Sequence, residues 1–106
     1  MSLTDITFYQ RFEADILAGK KTITIRDEAE KNFLPGSQVK VATYESNRWF
    51  CDITIQGVEP IHFDQLSNEH AQQENMSLAE LKSVIKEIYP DQVHFYVISF
   101  QLVKAK

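Results

Sequence analysis

Cysteine is almost missing from this chain. Cys51 is the only one, so no disulfide can form within the chain, and a reducing compartment is implied. It lies in the strand-like run 49–55, where a thiol reads as packed and not as reactive. No apolar run approaches the ~20 residues of a membrane helix, and the first residues lack a basic stretch followed by an apolar one. A cytoplasmic protein with no membrane partner is expected. Basic excess is missing as well: 11 Lys and Arg against 15 Asp and Glu give a net charge of −4, which argues against a protein that works by neutralising nucleic-acid phosphates. Glycine and proline number three each, and there are no repeats, linkers or low-complexity segments. Metal motifs are absent too. His62 and His94 stand isolated, and His70 and Glu74, four apart, have no HExxH or Cys-pair pattern around them, so neither metal nor cofactor is expected.

What remains is an ordinary globule: 106 residues, 43% hydrophobic and 25% charged, enough for one domain spanning 1–106 with one core. Thr4 or Asp5 reads as the cap of a first helix with Phe8, Phe12 and Ile16 at i, i+4 and i+8, closed by Gly19. A strand over 21–27 follows. After the Pro35-Gly36 turn come a strand over 39–44, a hairpin turn at 45–48 and a strand over 49–58 that Pro60 breaks. The polar stretch 63–73 is weakly helical and is interrupted at Asn75-Met76. Ser77-Leu78-Ala79-Glu80 reads as a capping box, and Leu78, Leu81, Ile85 and Ile88 form the apolar face of a helix stopped by Pro90. Residues 93–103 alternate as a final strand. Four or five strands and two or three helices out of βαβ order indicate α+β, with a small curved sheet or barrel.

The segment Gly19-Lys20-Lys21-Thr22-Ile23-Thr24-Ile25-Arg26 carries the densest chemistry. Strand alternation puts Thr22, Thr24 and Arg26 on one face and Ile23 and Ile25 on the other, buried one. Taken alone, such a stripe is most simply an edge strand with a wet face. A hydroxyl beside an amine is also the minimal pairing for nucleophilic attack, and an arginine there can hold an oxygen-rich substrate.

The pattern Gly19-x-Lys21-x-x-Thr24-x-Arg26 resembles the ASCH-domain signature Gly-x-Lys-x-x-Glu-x-Arg, with Thr24 where the general motif has Glu. Over nearly its whole length the chain is similar to short bacterial ASCH proteins that hydrolyse N4-acetylcytidine to cytidine and acetate. The resemblance is carried by Asp5-Ile6-Thr7-Phe8, Gln10-Arg11-Phe12, Asp15-Ile16-Leu17-Ala18-Gly19, Lys21 to Asp27, His70-Ala71-x-Gln73-Glu74-Asn75-Met76, Ile88-Tyr89-Pro90 and Phe95-Tyr96-Val97-Ile98. It implies a PUA-like barrel flanked by helices and a metal-independent amidohydrolase. By the same resemblance Lys21 is the general base, Thr24 the nucleophile and Glu74 the general acid, with Arg26 binding substrate.

That assignment makes demands. A lysine of ordinary pKa ~10.4 cannot act as a base near neutrality unless burial or a neighbouring cation, Lys20 or Arg26, brings it to roughly 7–8. Lys21 and Thr24, three positions apart, point to opposite faces of an ideal strand, so Lys21 must lie in a bulge or in the loop after Gly19 to come within about 4 Å of the hydroxyl. Thr22 is then structural. One or two of Tyr9, Phe33, Tyr44, Trp49 and Phe50 would stack on the pyrimidine. The second reading is an RNA-binding module of the same fold without catalysis, which the acidic balance does not favour.

Overall fold

The computed structural model describes residues 4–105. Five strands form one sheet in the order β1-β3-β4-β5-β2: β1 (Asp5–Phe8), β2 (Ile23–Arg26), β3 (Gln38–Thr43), β4 (Trp49–His62) and β5 (His94–Ala105). Helix α1 (Glu13–Leu17) precedes β2, while α2 (Asn68–Gln73) and α3 (Leu78–Ile88) lie between β4 and β5. The β1–β3 pair is parallel and the others are antiparallel.

The two faces of the sheet can be followed along β5. Ile98 and Phe100 join Ile6, Phe8, Val39, Val41, Ile53, Ile55 and, from α1, Ile16 in one apolar cluster. Phe95 and Val97, of opposite parity, pack with Ile23, Ile25, Ala71, Leu81 and Ile85, the cluster under α2 and α3. Thr24 pairs with Ile98 across the antiparallel β2–β5 ladder, so Thr24 and Arg26 face the first cluster. The sheet curls around that side until its two edges are joined by a side chain: Arg26 Nη2 on β2 donates to Thr7 O on β1 at 2.7 Å. The expected barrel is therefore curved but not closed, since β1 and β2 remain edges without a ladder between them.

Two expectations are corrected. The first helix does not start at Thr4 or Asp5, because Ile6 and Phe8 alternate inward on a strand whose backbone pairs with β3. Phe8, Phe12 and Ile16 have helical spacing, yet only Glu13–Leu17 is α-helical, after a 3-10 turn at Gln10–Phe12. Pro60 does not break β4, which runs on to His62. Beyond Ile55 this strand has β5 on one side only, and a proline fits where its missing N–H faces the unpaired side. A register shift opposite Val41/Ala42 lets both Phe50 and Cys51 be buried. Burial, with Asp52 and Glu13 nearby, pushes the Cys51 thiol up to about 12, so it is an inert packed group. The remaining elements follow the sequence reading, including the Ser77 hydroxyl accepting from the Glu80 amide at 3.1 Å to start α3.

Candidate active site

Helix α1 ends in a Schellman turn: Gly19 adopts φ +75°, the Gly19 amide donates to Ile16 O at 3.1 Å and the Lys20 amide to Asp15 O at 2.9 Å. The Lys21 amide also reaches Asp15 O, at 3.1 Å. Lys21 thus stays in the loop, two residues before β2 begins at Ile23, a departure from strand geometry of the kind expected from the sequence. Its side chain turns inward and is 3% exposed. Nζ donates to Ile23 O at 3.0 Å, touches the Glu74 carboxyl and lies 5.1 Å from the Phe12 ring centroid. Burial first, and then the charge of Arg26, push the Lys21 ammonium down to about 7, with Asp15 pulling the other way.

Glu74 caps the C-terminal end of α2 and is 5% exposed. Two ties bring that end of the helix to the Lys21 loop. The Thr22 amide donates to Gln73 O at 2.7 Å, and Asn75, in the left-handed region at φ +57°, donates from Nδ2 to Asp15 Oδ1 at 3.1 Å. Thr22 supplies backbone bonds and is not part of the cavity wall.

Thr24 is 4% exposed, so its face of β2 is not the wet face of an edge strand. Its Oγ1 accepts from Arg26 Nε at 2.7 Å. Arg26 Nη1 meets both Glu30 carboxylate oxygens at 3.1 Å, and Nη2 is taken by Thr7 O. Every nitrogen of this guanidinium has a protein acceptor. Among the described residues no hydrogen bond joins Lys21 to Thr24; Ile23 O and Glu74 hold the lysine instead.

These groups share a cavity of about 380 Å³ in the gap between β1, β2 and α3, at the lower end of the ~300–1,000 Å³ usual for small-molecule sites. Lys21, Thr24, Arg26, Glu30 and Glu74 line one part of it; Met76, Leu81, Val84, Ile85 and Ile88 make an apolar wall opposite. Of the aromatics expected to stack on a base, Tyr9 and Tyr44 line the cavity, edge to face at 5.3 Å, with Tyr44 66% exposed. Phe33 and Phe50 are core, and Trp49 donates to Asp52 at 2.7 Å. His70 Nδ1 accepts from the Ser67 amide at 3.2 Å at the start of α2. Among the described residues no three His, Cys, Asp or Glu side chains converge to hold a metal. Sequence reasoning missed Glu30, Asp15 and Asn75. The Arg26-to-Glu30 spacing of four was visible, but it carries no meaning until a turn after β2 folds Glu30 back.

The ASCH domain family model matches residues 4–104. The chain is 56% identical over 103 residues to the N(4)-acetylcytidine amidohydrolase of Haemophilus influenzae strain PittEE, covering 97% of this chain and 99% of the relative. It is 60% identical over 100 residues to the protein of that name from Vibrio vulnificus strain YJ016, covering 94% and 96%. In fold it is similar to the ASCH domain of Lactobacillus crispatus, with a TM-score of 0.79 at 19% identity over 97% of this chain and 80% of that one. The chain belongs to the ASCH domain family, among the small bacterial proteins named N(4)-acetylcytidine amidohydrolase.

Proposed function

We propose that this protein hydrolyses N4-acetylcytidine to cytidine and acetate, with Thr24 as nucleophile, Lys21 as general base and Glu74 as general acid. The observation that carries the reading is the burial of Lys21 against Glu74, 53 positions later in the chain, in the same cavity as the Thr24 hydroxyl. A buried amine titrating near neutrality is what a general base needs.

This reading requires the Lys21–Glu74 pair to enter the reaction with one shared proton, on the carboxyl. As Thr24 Oγ1 attacks the acetyl carbonyl, its proton passes to the Lys21 amine, and Glu74 gives its proton to the departing cytosine. The lysine becomes cationic as the glutamate becomes anionic, so the two developing charges stabilise each other where both side chains are buried. A water molecule then attacks the acetyl-Thr24 ester. Glu74 takes the water's proton, the Lys21 ammonium returns one to Thr24, and acetic acid leaves with the pair reset. Since no hydrogen bond joins Lys21 and Thr24 in the empty site, the lysine terminus must shift from Ile23 O toward the hydroxyl as substrate enters, the tightening usual for such contacts. Tyr9 and Tyr44 flank the cytosine, and Arg26 holds Thr24 more than it holds substrate.

Incubation of the purified protein with N4-acetylcytidine, followed by chromatography for cytidine and acetate, tests the activity. Lys21→Ala, Thr24→Ala and Glu74→Ala should each lose nearly all turnover while keeping the native circular dichroism, and Thr24→Ser should keep part of it. Wild-type turnover in Thr24→Ala would end the assignment of the nucleophile.

A further inference from the structure

The Arg26 guanidinium does three things at once. Nε donates to Thr24 Oγ1 at 2.7 Å, Nη1 meets both oxygens of Glu30 at 3.1 Å, and Nη2 donates to Thr7 O on the opposite sheet edge at 2.7 Å. The orientation of this planar group is fixed at two outer points, Glu30 and Thr7, with the third aimed at the hydroxyl. Glu30 comes to Arg26 because Asp27 caps a 3-10 turn, accepting from the Ala29 amide at 3.1 Å, which folds residues 28–30 back over the end of β2. Its side chain is 28% exposed against 14% for Arg26, so the contact is partly shielded from solvent. The Arg26 charge also lies 4.7 Å from the Phe8 ring centroid on β1.

Two consequences follow for Thr24. An oxygen that accepts from Nε must direct its own proton elsewhere, which leaves that proton free for a base. The same charge-assisted bond strengthens as the oxygen becomes anionic, so it favours the alkoxide over the alcohol. Both depend on Nε staying on Oγ1, and a guanidinium on a rotatable stem stays there only while its far side is pinned.

We propose that Glu30 is a positioning residue of this site: by gripping Arg26 Nη1 it holds Nε on the Thr24 oxygen and so sets the reactivity of the nucleophile. This rests on the reading of Thr24 as nucleophile. The hydrogen bonds and the ion pair of the Glu30 carboxylate go to Arg26. A merely structural Glu30 would serve as an edge staple between β1 and β2, and its loss would then show in stability and not in chemistry.

The test is steady-state kinetics on N4-acetylcytidine from pH 5.5 to 9 for wild type, Glu30→Gln, Glu30→Asp, Arg26→Lys and Thr24→Ala, with melting temperatures alongside. Glu30→Gln keeps the shape and removes the charge. Its kcat should fall about 10- to 100-fold, the scale of a misaimed catalytic contact, with KM changed less than about 2-fold and Glu30→Asp recovering part of the loss. The Glu30→Gln/Arg26→Lys double variant should be no slower than Arg26→Lys alone, because both act through one bond. A Glu30→Gln enzyme with wild-type kcat would overturn the proposal while inactivity of Thr24→Ala left the nucleophile standing. Full turnover in Thr24→Ala would instead remove the reading on which the proposal rests. If Glu30→Gln fails to fold, the wild type still decides the matter by nuclear magnetic resonance: the Arg26 Nε–H signal, assigned by its loss in Arg26→Lys, should exchange with water at least about 10-fold more slowly than other arginine Nε–H signals, and equal exchange would overturn the proposal.

Discussion

Lys21 and Glu74 are costly residues to bury. The amine and the carboxyl both give up hydration on burial, and such a pair is often less stable than apolar side chains of similar volume. Removing one partner leaves the other buried and unpaired, so Lys21→Met should lose about 1–3 kcal/mol in urea unfolding, whereas Lys21→Met/Glu74→Met should equal or exceed the parent, by up to about 3 kcal/mol, and be inactive. Equal losses in the single and double variants would show that the pair is not a strained functional device. The pH dependence follows from the same residue. Lys21 is held down to about 7 by burial and Arg26, so kcat/KM should climb about tenfold per pH unit below that value and flatten above it, as the neutral amine becomes fully available. Lys21, Thr24 and Glu74 were singled out by resemblance, and the structure puts all three on one cavity. Glu30 and Asp15 were not, since their meaning depends on turns that bring separate segments together.

At the scale of elements, the strong local signals held: the capping serine and apolar stripe of α3, the alternation of β5, the Gly19 stop of α1. The failures share a cause. Phe8, Phe12 and Ile16 repeat at helical spacing by coincidence of three different elements, and the strand at Asp5–Phe8 exists because β3 offers it a ladder, a partner more than thirty residues away in the sequence. Pro60 was read as a stop because nothing local says that β4 has already lost its second neighbour there. The junction between α2 and α3 is where such long-range ties serve the site. Asn75 takes φ +57° and hydrogen-bonds Asp15 at 3.1 Å, fixing the residue next to Glu74. Asn75→Ala should therefore lose about 1–2 kcal/mol, from the left-handed backbone and the lost bond together. Asn75→Gly, which restores the backbone freedom but not the bond, should recover part of that stability and still show a reduced kcat. Full kcat in Asn75→Gly would mean that the Asp15 tie does not position Glu74.

For the molecule as a whole, the curled sheet explains how a chain this small can bury polar side chains beside a cavity: β1 and β2 stay unpaired edges, and the cavity of about 380 Å³ lies between them without opening the core. It also bears on the RNA-binding alternative. Lys21, Thr24 and Glu74 are at most 5% exposed, so a base within a polynucleotide would have to leave its stack and enter the cavity, at a cost of a few kcal/mol when duplexed. Compensation would have to come from cationic contacts along the phosphate backbone. This chain has little to offer there, with a net charge of −4 and Arg26, Arg48 and Lys31 already paired with Glu30, Glu13 and Glu28. Tyr9 and Tyr44, which line the cavity together with Phe8, Phe12 and Tyr89, suffice for a single base at ~1–3 kcal/mol per stacked base, and all five lie at one cavity where a strand would need successive platforms. Fluorescence anisotropy with a labelled single-stranded RNA should therefore give no complex tighter than about 10 μM at ~150 mM salt, the weak end of non-specific binding. The same protein should be saturable by N4-acetylcytidine in a turnover assay. A submicromolar, strongly salt-dependent RNA complex with no release of cytidine would reverse the order of the two readings and make the buried Lys21–Glu74 pair a recognition device.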